Sequence, residues 1–87
     1  MFFVYAIYHP KTDKIYIGQT DNLPNRLREH NDAECQRHTY TKRIGVGWKL
    51  IYSEEQPTRS LALLREKQLK SYQGRLFIKN LINHIPP

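Results

Sequence analysis

The chain has 87 residues, enough for one small domain over 1–87 and not two. Its 14 Lys and Arg outnumber 8 Asp and Glu, giving a formal charge of +6 that favours a polyanionic partner, either nucleic acid or an anionic membrane surface. No apolar run approaches the ~18 residues of a membrane span. The opening Met1-Phe-Phe-Val-Tyr lacks the basic start and cleavage site of a signal peptide, and the lone Cys35 excludes an internal disulfide and a thiolate zinc site. A reducing, cytoplasmic setting is the expectation.

Phe2 to Tyr8 is an aromatic and β-branched run, predicted as a strand buried on at least one face. His9 to Asp13 reads as a turn and Lys14 to Gly18 as the returning strand. Alternation places Phe3, Tyr5 and Ile7 on one face of the first strand, and Tyr16 with Gly18 on one face of the second. An even-length loop would bring Tyr5 and Tyr16 to the same face, paired directly or diagonally. Asp21 or Asn22 caps a short helix that tolerates Pro24 in its first turn and ends near Asn31. Leu23 and Leu27 form its buried stripe; Arg26 and His30, four apart, flank that stripe at the border of the core.

Residues 32 to 46 are polar and aperiodic, predicted as a basic loop carrying His38, Tyr40, Lys42 and Arg43. Trp48 to Tyr52 reads as a third strand, broken by Glu54-Glu55-Gln56-Pro57. Thr58 caps a second helix running to about Tyr72. Gly74 interrupts, and Leu76, Phe77, Leu81 and Ile82 then recur at helical spacing until Pro86-Pro87. The expected order is ββαβαα: an α+β domain with a three-stranded sheet and about three helices.

Phosphodiester hydrolysis needs a water, an acceptor for its proton, and positive charge around the phosphate. A divalent ion often supplies much of that charge through one or two carboxylates plus water and phosphate oxygens. Each role has a candidate. Tyr5 and Tyr16 are phenols on strands, where a packing role is the common one. Gly18, at a strand end, lets a ligand or another backbone approach closely. Arg26 and His30 are a basic pair on a short helix, a placement equally suited to a solvated face or a phosphate contact. Glu66 makes an i,i+4 pair with Lys70, worth only about 0.2–0.5 kcal/mol, yet shares a partly apolar side with Ala62 and Leu69. Arg37, His38, Tyr40, Lys42 and Arg43 interleave bases with an aromatic ring, which suits backbone contact plus stacking on a nucleobase. Lys70 extends that basic surface. Asn80, Asn83 and His84 either border a site or cap the last helix.

Taken jointly and in order, these residues resemble the GIY-YIG nuclease superfamily, in particular its small stand-alone bacterial members, from Phe2 to about Ile82. Tyr16-Ile17-Gly18 matches the second signature intact, whereas Phe3-Val4-Tyr5 keeps only the tyrosine of the first. Arg26 and His30 match an arginine and a histidine on the following helix, and Glu66 fits the place of the metal-binding glutamate. Asn80 and Asn83 compete for a later asparagine.

The resemblance implies a three-stranded antiparallel sheet flanked by helices and a metal-dependent DNA endonuclease acting in repair or processing. It implies that Glu66 holds one Mg²⁺ or Mn²⁺, and that one tyrosinate, Tyr5 or Tyr16, takes the proton of the attacking water while the other phenol orients it. Arg26 then steadies the phosphate and His30 assists. A free phenol ionises near 10, so such a base needs positive charge beside it. Binding is expected to be weak, salt-sensitive and structure-preferring, on branched, nicked or single-stranded DNA. The competing reading is a non-catalytic nucleic-acid-binding module with the same fold; a protein adaptor has little support.

Overall fold

The computed structural model describes residues 1–32 and 39–83. Cys35, Arg37, His38, His84 and Pro86-Pro87 lie outside the described residues. The element order is β1 (Phe2–His9), β2 (Lys14–Thr20), α1 (Leu23–His30), α2 (Thr39–Ile44), β3 (Lys49–Gln56), α3 (Arg59–Lys70) and α4 (Tyr72–Asn83). The strands form one antiparallel sheet in the order β2-β1-β3, the expected α+β architecture.

β1 and β2 pair from His9↔Lys14 to Phe3↔Thr20. The four-residue loop between them folds back through the Asp13 amide, which donates to the His9 carbonyl at 2.8 Å. Asp13 occupies the left-handed region (φ 56°), which Asp tolerates better than most residues, and accepts a hydrogen bond from Tyr8 Oη. The loop length is even. Tyr5 therefore faces Gly18 while Tyr16 faces Ile7, and the two phenols are diagonal neighbours on one face.

That alternation gives the central strand two cores. Val4 and Ala6 pack with Ile17, Ala62, Leu69 and Ile78 beneath α3 and α4. Tyr5 and Ile7 pack with Trp48, Tyr16, Leu23, Leu27 and Ile44 beneath α1 and α2. Helices cover both faces of the sheet.

Several elements differ from the sequence-based expectation. The second strand runs on to Thr20. The third runs through Glu54-Glu55-Gln56, because those residues pair with Val4, Phe3 and Phe2 at an edge, where charged side chains reach solvent. Hydrogen bonds from Tyr52, Gln56 and Arg65 hold the Glu54 carboxylate in place. A one-residue bulge opposite Ala6 and Ile7 lets the consecutive Ile51 and Tyr52 both pack on the α3/α4 core.

Residues 39–44, expected in a basic loop, are helical. Thr41 is buried there, the Trp48 ring donates to the Thr41 carbonyl, and Ile44 packs on the sheet. Gly74 lies inside α4 rather than ahead of it. A Cβ at this position would overlap backbone atoms of Gln68 and Leu69, so the glycine permits the tight α3–α4 corner.

The predicted caps hold at Asn22, which accepts from the Asn25 amide at 3.2 Å, and at Thr58, which accepts from the Leu61 amide at 3.2 Å. Beyond α1, the Asn31 side chain accepts from the Gly47 and Trp48 amides and donates to the Trp48 carbonyl. This clamp ties the end of α1 to the start of β3.

Candidate active site

The site lies where β1 and β2 meet α1. Gly18 explains why two tyrosines fit there. A Cβ on it would stand 2.8 Å from Tyr5 Oη and 3.0 Å from Tyr16 Cε1. The open space over Gly18, expected to admit a ligand, is filled by these phenols, and what it admits is their mutual approach. The Tyr5 and Tyr16 ring centroids are 6.3 Å apart.

His30 completes the cluster from the last turn of α1. Its ring is 5.8 Å from Tyr5 and 5.0 Å from Tyr16, and the residue is 2% exposed. Nε2 lies 2.8 Å from Tyr5 Oη and Nδ1 2.8 Å from Thr41 Oγ1. In a neutral imidazole one nitrogen donates and the other accepts, so Tyr5, His30 and Thr41 form one buried hydrogen-bonded chain. The leucine stripe of α1 correctly placed His30 at the core border; the tertiary packing buries it fully.

Tyr5 is 1% exposed. Burial pushes its phenol far above the ordinary value, Tyr16, Glu66 and Glu29 act in the same direction, and Arg26 opposes them. Tyr5 therefore stays a neutral phenol well beyond the pH at which an ordinary tyrosine ionises. Tyr16 is half-buried, and its ring stacks on Tyr40 at 6.1 Å with 26° between the planes.

Arg26 and Glu66 are both close enough to Tyr5 for their charges to act on its phenol, so α1 and α3 bring both groups into the field of the aromatic cluster. Neither is idle. Arg26 Nε is 3.4 Å from the Glu29 carboxylate, and Glu66 accepts from Lys70 Nζ at 3.0 Å. Partly exposed pairs of this kind contribute about 0.3–0.5 kcal/mol each. A phosphate or a cation can exchange for either partner at little cost.

For a metal, the donor chemistry fits one class of ion. Among the described residues there is no group of three His, Cys, Asp or Glu able to hold a metal, which disfavours zinc-type ligation. A half-buried carboxylate such as Glu66 suits Mg²⁺ or Mn²⁺, which keep several waters and take substrate oxygens. The amide oxygen of Gln19, next to Gly18 and on the opposite face of β2 from Tyr16, is buried without a hydrogen-bond partner.

Of the remaining expected contacts, Tyr40 lies beside Tyr16, while Lys42 and Arg43 are exposed on α2. Arg37 and His38 lie outside the described residues. Two residues of the cluster escaped the sequence reading. Glu29 follows Arg26 by three residues on the same helix face, a spacing that would have flagged the pair. Thr41 carried no signal, because its segment read as loop.

The family model described as the GIY-YIG catalytic domain matches residues 1–80. A UPF0213 protein of Haloquadratum walsbyi is 38% identical over 60 residues, which are 69% of this chain and 64% of that protein. A UPF0213 protein of Staphylococcus haemolyticus is 31% identical over 69 residues, covering 79% of this chain and 80% of the relative. No solved structure matches.

Proposed function

We propose, for a chain that belongs to the GIY-YIG family, that it is a divalent-metal-dependent endonuclease hydrolysing DNA phosphodiester bonds, structure-preferring and serving DNA repair or processing. The observation that carries this reading is the Tyr5–Tyr16–His30 cluster with Arg26 and Glu66 in electrostatic reach of it.

The two phenols divide the work. Tyr5, buried and held protonated, keeps its hydrogen bond with His30 and so fixes the orientation of the cluster through His30 and Thr41. Tyr16, the more accessible phenol, is the proton acceptor: in its ionised form it takes a proton from the attacking water as the water oxygen bonds to phosphorus. The bridging phosphate ester bond breaks, and its leaving oxygen is protonated from solvent. Arg26 exchanges Glu29 for the phosphate and balances the charge that builds on it. Glu66, released from Lys70, would hold one Mg²⁺ or Mn²⁺. Such an ion supplies charge neutralisation at the phosphate when bound.

The test is a panel of labelled duplex, nicked, branched and single-stranded DNAs incubated with Mg²⁺, Mn²⁺ or chelator. Cleavage should require the ion, vanish in Glu66→Ala and fall about 10²–10³-fold in Arg26→Ala, with DNA binding retained in both. Binding without products on any substrate, unchanged by Glu66→Ala, would instead identify a non-catalytic nucleic-acid-binding module.

A further inference from the structure

A cavity of about 640 Å³ opens along the outer side of β2, the edge strand that carries Tyr16. Ile15 and Ile17 line it from one face of that strand and Tyr16 from the other, so it curves around the sheet edge instead of lying on a single face. Four of its lining side chains are cationic: Lys14 from β2, Lys70 from α3, and Arg75 and Lys79 from α4. The one acid among the described lining residues, Asp13, accepts a hydrogen bond from Tyr8. Tyr40 lines the cavity as well, 45% exposed and stacked on Tyr16.

We infer that this groove binds an unpaired strand of DNA and leads it to Tyr16. Three observations select that ligand. Four cations on three elements follow one trough, a pattern that suits a sugar–phosphate backbone rather than a single anion. Tyr40, 45% exposed, carries the Tyr16 stack out to solvent, where a base free of its partner can add to it. The trough is lined by an edge strand and helix flanks, and offers no helix or two-stranded ribbon to enter the major groove of a duplex. The groove also adjoins the catalytic candidates, through Tyr16 and through Lys70, the partner of Glu66.

This inference deepens the nuclease reading and rests on it for its direction, since the strand is led to the proposed proton acceptor. The substrate it specifies is DNA with an unpaired arm at a junction, flap or gap.

Binding is measured with a labelled single-stranded oligothymidylate of roughly ten nucleotides, in chelator so that no cleavage intervenes, at several salt concentrations. The triple variant Lys14→Glu/Arg75→Glu/Lys79→Glu changes exposed side chains only. It should bind at least about tenfold more weakly and lose about 2 from the logarithmic salt slope. Lys49→Glu, an exposed charge reversal on β3 outside the groove, should bind like the wild type. Tyr40→Ala should lose about fivefold or more, and Tyr40→Phe should retain the stack and the affinity.

Equal binding by the triple variant and the wild type would overturn the inference. So would equal affinity for a blunt duplex of the same length, or for a polyglutamate peptide of the same charge. Metal-dependent cleavage on the substrate panel, measured separately, reports on the nuclease reading. A groove that fails while cleavage persists leaves that reading standing, and a groove that binds while cleavage is absent removes the enzyme without removing the strand path.

Discussion

Tyr5 and Tyr16 are the same residue type on adjacent strands, two registers apart, and their surroundings make them chemically unequal. Burial and neighbouring carboxylates keep Tyr5 protonated, so its phenol should be missing from the phenolate absorbance that develops on titration through the ordinary tyrosine range. The folded value lies above the unfolded one. The associated stability is therefore fully present below about pH 10 and is lost as pH rises toward the folded value. Tyr5→Phe should leave the spectrophotometric titration unchanged through the ordinary tyrosine range; a loss of phenolate absorbance within that range would contradict the assignment.

Gly18 is the second decisive residue, for a steric reason. In Gly18→Ala the new methyl meets Tyr5 Oη and Tyr16 Cε1 closer than carbon tolerates, and both rings must shift. The expected cost is about 1–3 kcal/mol, measured as a lowered urea midpoint. Cleavage should fall in parallel, because the same shift moves both phenols.

Among the elements, the α3–α4 pair is the most constrained by a single position. α3 ends at Lys70, and the carbonyl of its C-cap, Ser71, already accepts from the Arg75 amide as α4 begins. The two helices meet so closely that Gly74 leaves no room for a Cβ against the Leu69 and Gln68 backbone. Backbone yields less readily than a side chain. Gly74→Ala should cost about 3 kcal/mol or more and lower the thermal midpoint well beyond what Gly18→Ala does. On the opposite face, α2 exists through tertiary contact: Trp48 and Asn31 hold the 39–48 segment against the sheet.

At the scale of the whole molecule, a domain of this size buries only about 60% of its unfolded surface, so a single charge cluster weighs on overall stability. Glu54 joins β3 to α3 through Arg65, at 2.8 Å. Burial alone would raise its carboxyl, but hydrogen bonds from Tyr52, Arg65 and Gln56, with the Arg65 charge, outweigh burial and hold it below the ordinary value. A depressed carboxyl contributes stability above its unfolded value, near 4.3, and loses it as pH falls through the lower folded value. Acid unfolding should therefore begin just below the ordinary carboxylate range. In Glu54→Gln, stability measured by chemical denaturation should depend less on pH over that interval.

The local features were legible in the sequence. Asn22 and Thr58 announce their helices and the Leu23–Leu27 stripe points His30 inward, whereas the parity that puts Tyr5 and Tyr16 on one face waited on the register, because His9 read as part of the turn and pairs with Lys14 in the fold. The caps and the stripe depend on residues a few positions apart, and short-range sterics and hydrogen bonding decide such features almost alone. What the sequence left open was settled by contacts between distant segments. Solvent exclusion, contributed by α1 and α2 together, makes Tyr5 the buried phenol. Glu29 and Lys70 occupy Arg26 and Glu66 before any substrate arrives. The helix at 39–44 and the cationic trough along β2 depend on which elements the fold sets side by side. Burial and charge are sums over neighbours in space, and the order of residues along the chain does not name those neighbours.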